Sequence, residues 1–323
     1  MLRALLPVTL VVFVCLVTAA GHAEVRRMDS PKKGKTLRLL MPQWQGGDYD
    51  IKPSSGEIYP MGARLLAFLA PESEAPLVEV PVEAYTGAPR PSQNGVVWQD
   101  VVLRQLRAAR TIIDEHAPDR IIMFGGDCLV DQAPFAYLNE RYQGRLGLLW
   151  IDAHPDISTP AMHDREHAMI LGNLLGKGDP VFAKEVALPL KPEQVLMIGL
   201  DGYNSPEEEK AVNSIGLRAL PSADVAENSE AVLKWIKDNK FDHIAIHFDL
   251  DVLDPKSFYS QLPMNPNGLP FDTVGSKLTI YQATRLIKDV SAAADLVGLG
   301  ITEHMPWDAL NLKNMMKEFP IMQ

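Results

Sequence analysis

Cysteine is almost absent from this chain of 323 residues, which contains only Cys15 and Cys128. Cys15 lies in an apolar run near the amino terminus, in a segment of the kind that is removed from exported proteins. Without that segment, Cys128 alone remains and no intramolecular disulfide can form. The sequence therefore predicts that stability comes from a hydrophobic core, and we expect further support from assembly into a homo-oligomer.

Positive charge is also scarce, since 31 Lys and Arg face 41 Asp and Glu and give a formal net charge of -10. The densest basic stretch is the short segment 32–35. Nucleic-acid binding requires a broad basic face. The composition therefore argues against a nucleic-acid partner and favours small cationic ligands.

The first 23 residues have the layout of a secretory signal peptide. Arg3 precedes an apolar run over 4–20, and the small residues Gly21 and Ala23 follow it. We expect cleavage after Ala20 or Ala23, export to the periplasm or the medium, and no stable membrane association afterwards. An uncleaved membrane anchor is the alternative, because the run approaches the length needed to span a bilayer.

Residues 24–35 are charged and contain Pro and Gly, which is typical of a flexible lead-in. After it, apolar runs predict strands at 37–41, 77–81, 120–124, 146–151, 194–199, 217–220, 243–248 and 296–300. Helical patterns occupy 97–116, 167–175, a segment starting after Ser205, 229–239 and 280–290. About eight strands alternating with helices predict one α/β domain over 36–323, with a mostly parallel sheet covered on both faces. A long polar segment at 42–60 is predicted as a functional loop.

Acidic residues and one histidine stand where two of these apolar runs end. Asp152, His154 and Asp156 follow the run at 146–151, and Asp249 and Asp251 follow the run at 243–248. A spacing of two places side chains on one side of a strand. Ligands bind at the carboxyl edge of open α/β sheets, where four converging carboxylates would repel one another unless cations lay between them. The pattern therefore predicts a metal site.

Three motifs and a glutamate carry a family resemblance: GGDC at 125–128, DAHPD at 152–156, DLDVLDP at 249–255 and Glu303 in GLGITEH. In this order, they resemble the arginase/agmatinase, or ureohydrolase, superfamily. The resemblance implies a three-layer α/β/α fold with an eight-stranded sheet. It also implies two manganese ions, bridged by a hydroxide that attacks the guanidinium carbon of a small guanidino substrate and yields urea and an amine.

The resemblance also assigns roles to the acidic positions. It implies that Asp152 and Asp249 bridge the two ions, that His154 and Asp251 bind one ion, and that Asp156 binds the other. Oxygen-rich ligands of this kind suit a hard divalent cation such as Mn²⁺.

The resemblance also implies roles for the catalytic residues. Glu303 matches the carboxylate that grips the guanidinium, a planar fork of donors that favours bidentate pairing. His167 is the first candidate for the histidine that shuttles protons, and His163 is the second.

Two positions depart from what the family supplies. Cys128 stands where most members have the histidine that binds the first ion. A thiolate there would favour Zn²⁺ or Fe²⁺ over Mn²⁺. One alternative is a first site that is weak or empty, and another is that Cys128 is only a buried small hydrophobic residue. His247, two residues before Asp249, is expected either to support a metal ligand through a hydrogen bond or to be a core histidine.

The substrate is the least defined part of the resemblance. Ser158 replaces an asparagine, and residues 201–204 replace an arginine-and-aspartate run, so no L-arginine pocket is evident. The loops at 42–60 and 255–270 are expected to shape the entrance, with Trp44, Tyr49 and Tyr259 available for contact. Hydrolysis of an amidine or amide C–N bond stays open. So does a non-catalytic, exported protein that binds a metal or ligand.

Overall fold

The computed structural model describes residues 34–87, 89–270, 272–309 and 316. The predicted signal peptide at 1–23, and all but the last two residues of the predicted lead-in, lie outside them. The strands are β1 (Thr36–Met41), β2 (Leu77–Glu79), β3 (Ser92–Gln93), β4 (Val96–Val97), β5 (Arg120–Gly125), β6 (Leu146–Ile151), β7 (Val195–Ile198), β8 (Arg218–Leu220), β9 (His243–Asp249) and β10 (Asp295–Thr302). The helices are α1 (Ser55–Leu69), α2 (Gln99–His116), α3 (Gln132–Arg141), α4 (Ile170–Leu174), α5 (Pro180–Ala183), α6 (Pro206–Ile215), α7 (Glu230–Asn239) and α8 (Ile280–Ala293).

Eight of these strands form one sheet in the order β2-β1-β5-β10-β9-β6-β7-β8. Every neighbouring pair in this sheet is parallel. The prediction of a mostly parallel, eight-stranded sheet is therefore confirmed. Strands β3 and β4 pair only with each other, as a short antiparallel hairpin.

Helices cover both faces of the sheet and make the expected three layers. On one face, residues of α2 and α3 such as Leu106 and Phe135 pack with Trp150 of β6. On the other face, α7 and α8 contribute Trp235 and Leu286, which pack with Leu149. Trp150 and Leu149 are successive residues of a fully buried strand, so alternation of side chains delivers them to opposite cores.

A helix occupies part of the segment that was predicted as a long loop. Helix α1 begins after Ser54, whose backbone N–H donates to Glu57 Oε2 at 3.3 Å. Ile58 and Tyr59 are fully buried on its inner face. The prediction of a loop over the whole of 42–60, made from its Gly, Asp and Ser content, was wrong, because α1 begins at Ser55 and accommodates Pro60 inside it.

Two further differences concern helices beside the site. Helix α3 had not been predicted from the sequence. The segment predicted as a helix over 167–175 is a 3₁₀ turn at Glu166–Met169 followed by the short helix α4. Among the described residues, none of the helices is both long and apolar enough to cross a membrane.

Candidate metal centre and substrate cavity

The acidic motifs meet at the carboxyl ends of β6 and β9, which are neighbours in the sheet. His154 Nδ1 lies 2.9 Å from Asp251 Oδ2 and 3.6 Å from Asp152 Oδ1. One ligand atom from each of these three residues lies within 4.8 Å of the others. The structure thus brings together the donors predicted for one ion.

A second donor group lies beside the first. It contains Cys128, Asp152, Asp156 and His247, all buried, with ligand atoms within 4.8 Å of one another. Asp152 belongs to both groups. A carboxylate with two oxygens can contact two cations at once, so this position of Asp152 agrees with the predicted bridge.

Asp249 contacts both Cys128 and the backbone of its own motif. Its Oδ2 accepts a hydrogen bond from Cys128 Sγ at 3.1 Å, and its Oδ1 accepts one from the backbone N–H of Asp251 at 2.8 Å. The structure places Asp249 beside both donor groups, and its role as a second bridge stays a prediction.

The chemistry of these donors fits divalent cations. Asp152 Oδ2 and Asp156 Oδ2 are buried and make no hydrogen bond with any described residue. Burial and the charge of Asp152 raise the pKa of Asp156 well above its ordinary value, and burial and the charge of Asp251 do the same for Asp249. Burial opposes ionisation of Asp152, but its contacts with His154 lower its pKa. Cations would relieve both the repulsion and the unsatisfied oxygens.

The backbone around the site is held in uncommon conformations. Asp156 and Glu303 have φ angles of 46° and 61°, in the left-handed region. Gly126 approaches the loop after β1 so closely that a Cβ atom there would lie 1.7 Å from the carbonyl oxygen of Gln43. Left-handed backbone at residues other than glycine costs on the order of 1–3 kcal/mol each and often occurs at functional sites.

Glu303 and His167 lie next to the donor groups. His167 Nδ1 is 3.7 Å from Glu303 Oε1, and His167 Nε2 shares a hydrogen bond of 2.8 Å with the Tyr49 hydroxyl. Burial raises the pKa of Glu303 to about 8 and lowers that of His167 to about 4. His163 lies in the same cavity, with its ring centroid 6.2 Å from that of His167. His167 is the better placed of the two because it also contacts Glu303.

His247 is fully buried beneath the second donor group. Its Nδ1 lies 2.8 Å from Asp131 Oδ2, its Nε2 lies 3.6 Å from Asp152 Oδ2, and its ring stacks on Trp150 at a centroid distance of 3.8 Å. Burial opposes a charged ring, but Asp131 and Asp152 raise the pKa of His247 to about 10. Sequence reasoning missed Asp131, because no local pattern marks an acidic residue inside a buried turn.

A cavity of about 440 Å³ opens over this cluster. Beyond the metal donors, its wall includes Ser158, Asn204, Glu208 and Thr273, and none of its described lining residues is lysine or arginine. Tyr49 lines the cavity, as expected for a residue that contacts a substrate. The other two aromatic candidates, Trp44 and Tyr259, line separate surface depressions, and this expectation is not met for them.

Sequence comparison assigns the family. A profile of the arginase family matches residues 74–307, which include both donor groups and Glu303. The chain belongs to the arginase family. It is 24% identical to the arginase of Staphylococcus aureus over 140 residues and 28% identical to that of Bacillus caldovelox over 142 residues, in each case 42% of this chain. These alignments span slightly less than half of the length of either relative, 46% and 47%.

The structural similarity of this arginase-family protein to its relatives covers more of the chain than these sequence alignments do. The crystal structure of the native arginase from Bacillus caldovelox superimposes on 84% of this chain and 91% of that one, with a TM-score of 0.67 and 19% identity. A structure described as a hypothetical agmatinase from Burkholderia thailandensis covers 84% of this chain and 78% of that one, with a TM-score of 0.56 and 18% identity. At these identities the likeness establishes the shared arginase-like fold.

Proposed function

We propose that this arginase-family protein is a metal-dependent hydrolase that releases urea from a small guanidino compound. The observation that carries the proposal is the sharing of Asp152 by two donor groups on the floor of a cavity that also contains Glu303. Two divalent cations bound by these groups would supply activation of water for attack near neutral pH. Manganese suits the oxygen donors, whereas a sulfur ligand from Cys128 would favour zinc or iron in the group to which it belongs.

The residues of the chain supply binding and proton transfer. Glu303 is buried and accepts the planar guanidinium, whose paired N–H donors match a carboxylate. The positive charge of a guanidinium at this position would keep the Glu303 carboxylate ionised although burial raises its pKa. His167 then moves a proton at Nδ1, the atom that faces Glu303, while Tyr49 holds Nε2. The lowered pKa of His167 keeps its ring neutral near neutral pH, so Nδ1 can take up a proton only in transit and must pass it on to the leaving amine.

The composition of the cavity wall supports a narrower substrate class. Glu208 and Asp272 are acidic, and Ser158, Asn204 and Thr273 are polar and uncharged. With no lysine or arginine among the described lining residues, a substrate carboxylate would lack the usual cationic side chain as its partner. We therefore propose a guanidino compound whose far end is an amine or a neutral polar group.

A second candidate is a non-catalytic protein that binds metal or ligand through the same cavity. Cys128 favours it, because the family's first metal histidine is missing. The close packing of Asp152, Asp156 and Asp249 argues against it, since repulsion among buried carboxylates is costly in a protein without catalytic need for them. Hydrolysis of a related amidine or amide is a variant of the first proposal.

Metal content and urea release separate these functions. Protein purified without added metal is measured by elemental analysis, loaded with Mn²⁺ or Zn²⁺, and assayed against guanidino, amidine and amide compounds. We expect two ions per chain and urea from at least one guanidino compound with an amine or neutral end. Fewer than two ions, with no release of urea or ammonia, would favour the binding protein.

We further propose that the protein is exported, by way of the predicted signal peptide at 1–23, and that it works as a homo-oligomer. Mass spectrometry of the protein from the cell envelope or medium should find an amino terminus after Ala20 or Ala23. A product that retains residues 1–23 in the membrane fraction would indicate the anchor instead. Light scattering on the same material measures the number of subunits.

A further inference from the structure

Three neighbouring strands at the centre of the sheet place one residue each, side by side, directly under the second donor group. In the sheet register, Trp150 of β6 lies opposite His247 of β9, which lies opposite Gly300 of β10. His247 precedes Asp249 by two residues, so both side chains project from the same face of β9. The imidazole of His247 therefore rises toward the metal centre from the interior of the protein.

The ring of His247 is fixed on two sides. Its Nδ1 lies 2.8 Å from Asp131 Oδ2, and its plane stacks on Trp150 with an interplanar angle of 14°. Gly300 leaves room for this arrangement, since a Cβ atom there would lie 1.9 Å from Asp131 Oδ2. A carboxylate on one ring nitrogen orients a histidine so that the other nitrogen can bind a metal.

The other ring nitrogen is directed into the donor group. His247 Nε2 is buried and makes no hydrogen bond with any described residue. It lies 3.6 Å from Asp152 Oδ2, and a ring nitrogen of His247 lies within 4.8 Å of ligand atoms of Cys128, Asp152 and Asp156. The side chain of Cys128 is shorter than an imidazole, and His247 of β9 brings an imidazole to the donor group that contains Cys128.

We propose that His247 Nε2 is a ligand of the ion held by Cys128, Asp152 and Asp156, and that Asp131 is its positioning residue. The inference rests on the proposed function, because it needs a metal centre at this place. One sulfur, one nitrogen and two carboxylates make a four-ligand set that zinc accepts readily. The alternative role of His247 is an ion pair with Asp131 and Asp152 that excludes a cation from this position.

X-ray absorption at the zinc edge distinguishes the two roles. Wild-type protein loaded with two equivalents of Zn²⁺ should show a zinc–sulfur distance near 2.3 Å together with scattering from the imidazoles of His154 and His247. His247→Gln should lose half of the imidazole scattering, because one of the two histidine ligands is removed. The ion at the Cys128 group should then bind at least about tenfold less tightly. Asp131→Asn should lower the binding affinity for the same ion about 10- to 100-fold while the imidazole scattering persists.

His243→Gln is the matched control, since His243 lies on the same strand four residues earlier and stacks on Tyr142. It should leave metal affinity and the absorption spectrum unchanged. Unchanged imidazole scattering and affinity in His247→Gln would overturn the ligand assignment while two bound ions still supported the hydrolase. Failure of the wild type to bind any ion would overturn both.

A measurement on the wild type keeps the inference testable if His247→Gln does not fold. Protein labelled with ¹⁵N at histidine and loaded with ¹¹³Cd²⁺ should show cadmium–nitrogen coupling at the rings of His154 and His247. The signal of His154 is assigned with His154→Gln. Coupling at His154 alone would overturn the assignment of His247.

Discussion

Asp152 occupies the position on which the candidate centre depends, because both donor groups include it. We expect Asp152→Ala to lose both ions and to reduce urea release by at least about a hundredfold, more than the loss of an outer hydrogen-bond partner. Asp249→Ala should do the same if Asp249 is the second bridge. Elemental analysis measures the loss of ions, the urea assay measures the loss of activity, and circular dichroism checks that the variants remain folded.

Asp254 provides a control for these variants. It belongs to the same motif, but its side chain accepts a hydrogen bond from the backbone N–H of Lys256 in an exposed turn. Asp254→Ala should keep both ions. Full metal content in Asp152→Ala would refute the shared bridge, and full content in Asp249→Ala alone would leave Asp152 as the only bridge.

Cys128 is predicted to set the metal preference. Cys128→Ser replaces a soft sulfur donor by a hard oxygen, so zinc should bind at least about tenfold less tightly relative to manganese. Competition against a chromophoric chelator gives both affinities. An unchanged ratio would mean that Cys128 only packs beneath the site.

Glu208 is predicted to recognise the far end of the substrate. Its side chain is mostly buried at the first turn of α6 and accepts a hydrogen bond from the backbone N–H of Asn204 at 2.8 Å. Glu208→Gln should raise KM for a guanidino compound that ends in an amine about tenfold, with kcat little changed. KM for methylguanidine, which lacks that amine, should stay constant. Equal KM increases for the two compounds would point to general damage to the cavity.

At the scale of elements, the end of β5 and the loop after β1 must approach each other for the site to form. Gly126→Ala places a Cβ atom against Gln43. We expect overpacking to destabilise the protein by about 1–3 kcal/mol and to weaken metal binding by displacing Cys128. Urea denaturation and metal titration measure the two effects.

Gly275→Ala is the matched substitution, because a Cβ atom there meets no heavy atom within 4 Å. It should change the free energy of unfolding by less than about 0.5 kcal/mol. Similar stability of the two variants would show that the contact at Gly126 relaxes without cost.

The elements also explain which parts of the molecule the sequence could predict. Apolar runs such as 146–151 and 243–248 need only local pattern to be recognised, and the acidic motifs that follow them carry the family resemblance. Helix α1 was missed because tertiary burial of Ile58 and Tyr59 outweighs the local effect of Pro60. The pairing of Asp131 with His247 could not be predicted, since the two residues are 116 positions apart and meet only when β5 and β9 both join β10.

At the scale of the whole molecule, cations should stabilise the fold. A ligand at a hundred times its Kd adds about 2.7 kcal/mol to the free energy of unfolding. For a domain of this size we expect loading with Mn²⁺ or Zn²⁺ to raise Tm by about 4–5 °C for each ion bound and a chelator to reverse the gain. Differential scanning calorimetry measures the change, and Asp152→Ala should show little of it. Equal Tm values with and without metal would contradict binding to the folded state.

The burial of Cys128, which is 2% exposed, has a practical consequence. A thiol reagent can reach this sulfur only through the cavity above the donor groups, so the rate of alkylation reports how accessible the centre is. The other cysteine in the sequence, Cys15, yields a separate peptide in mass spectrometry. The rate of Cys128 alkylation can therefore be used as a probe of the centre. Slower labelling in the presence of a cation would measure the metal occupancy of the centre without any assay of turnover.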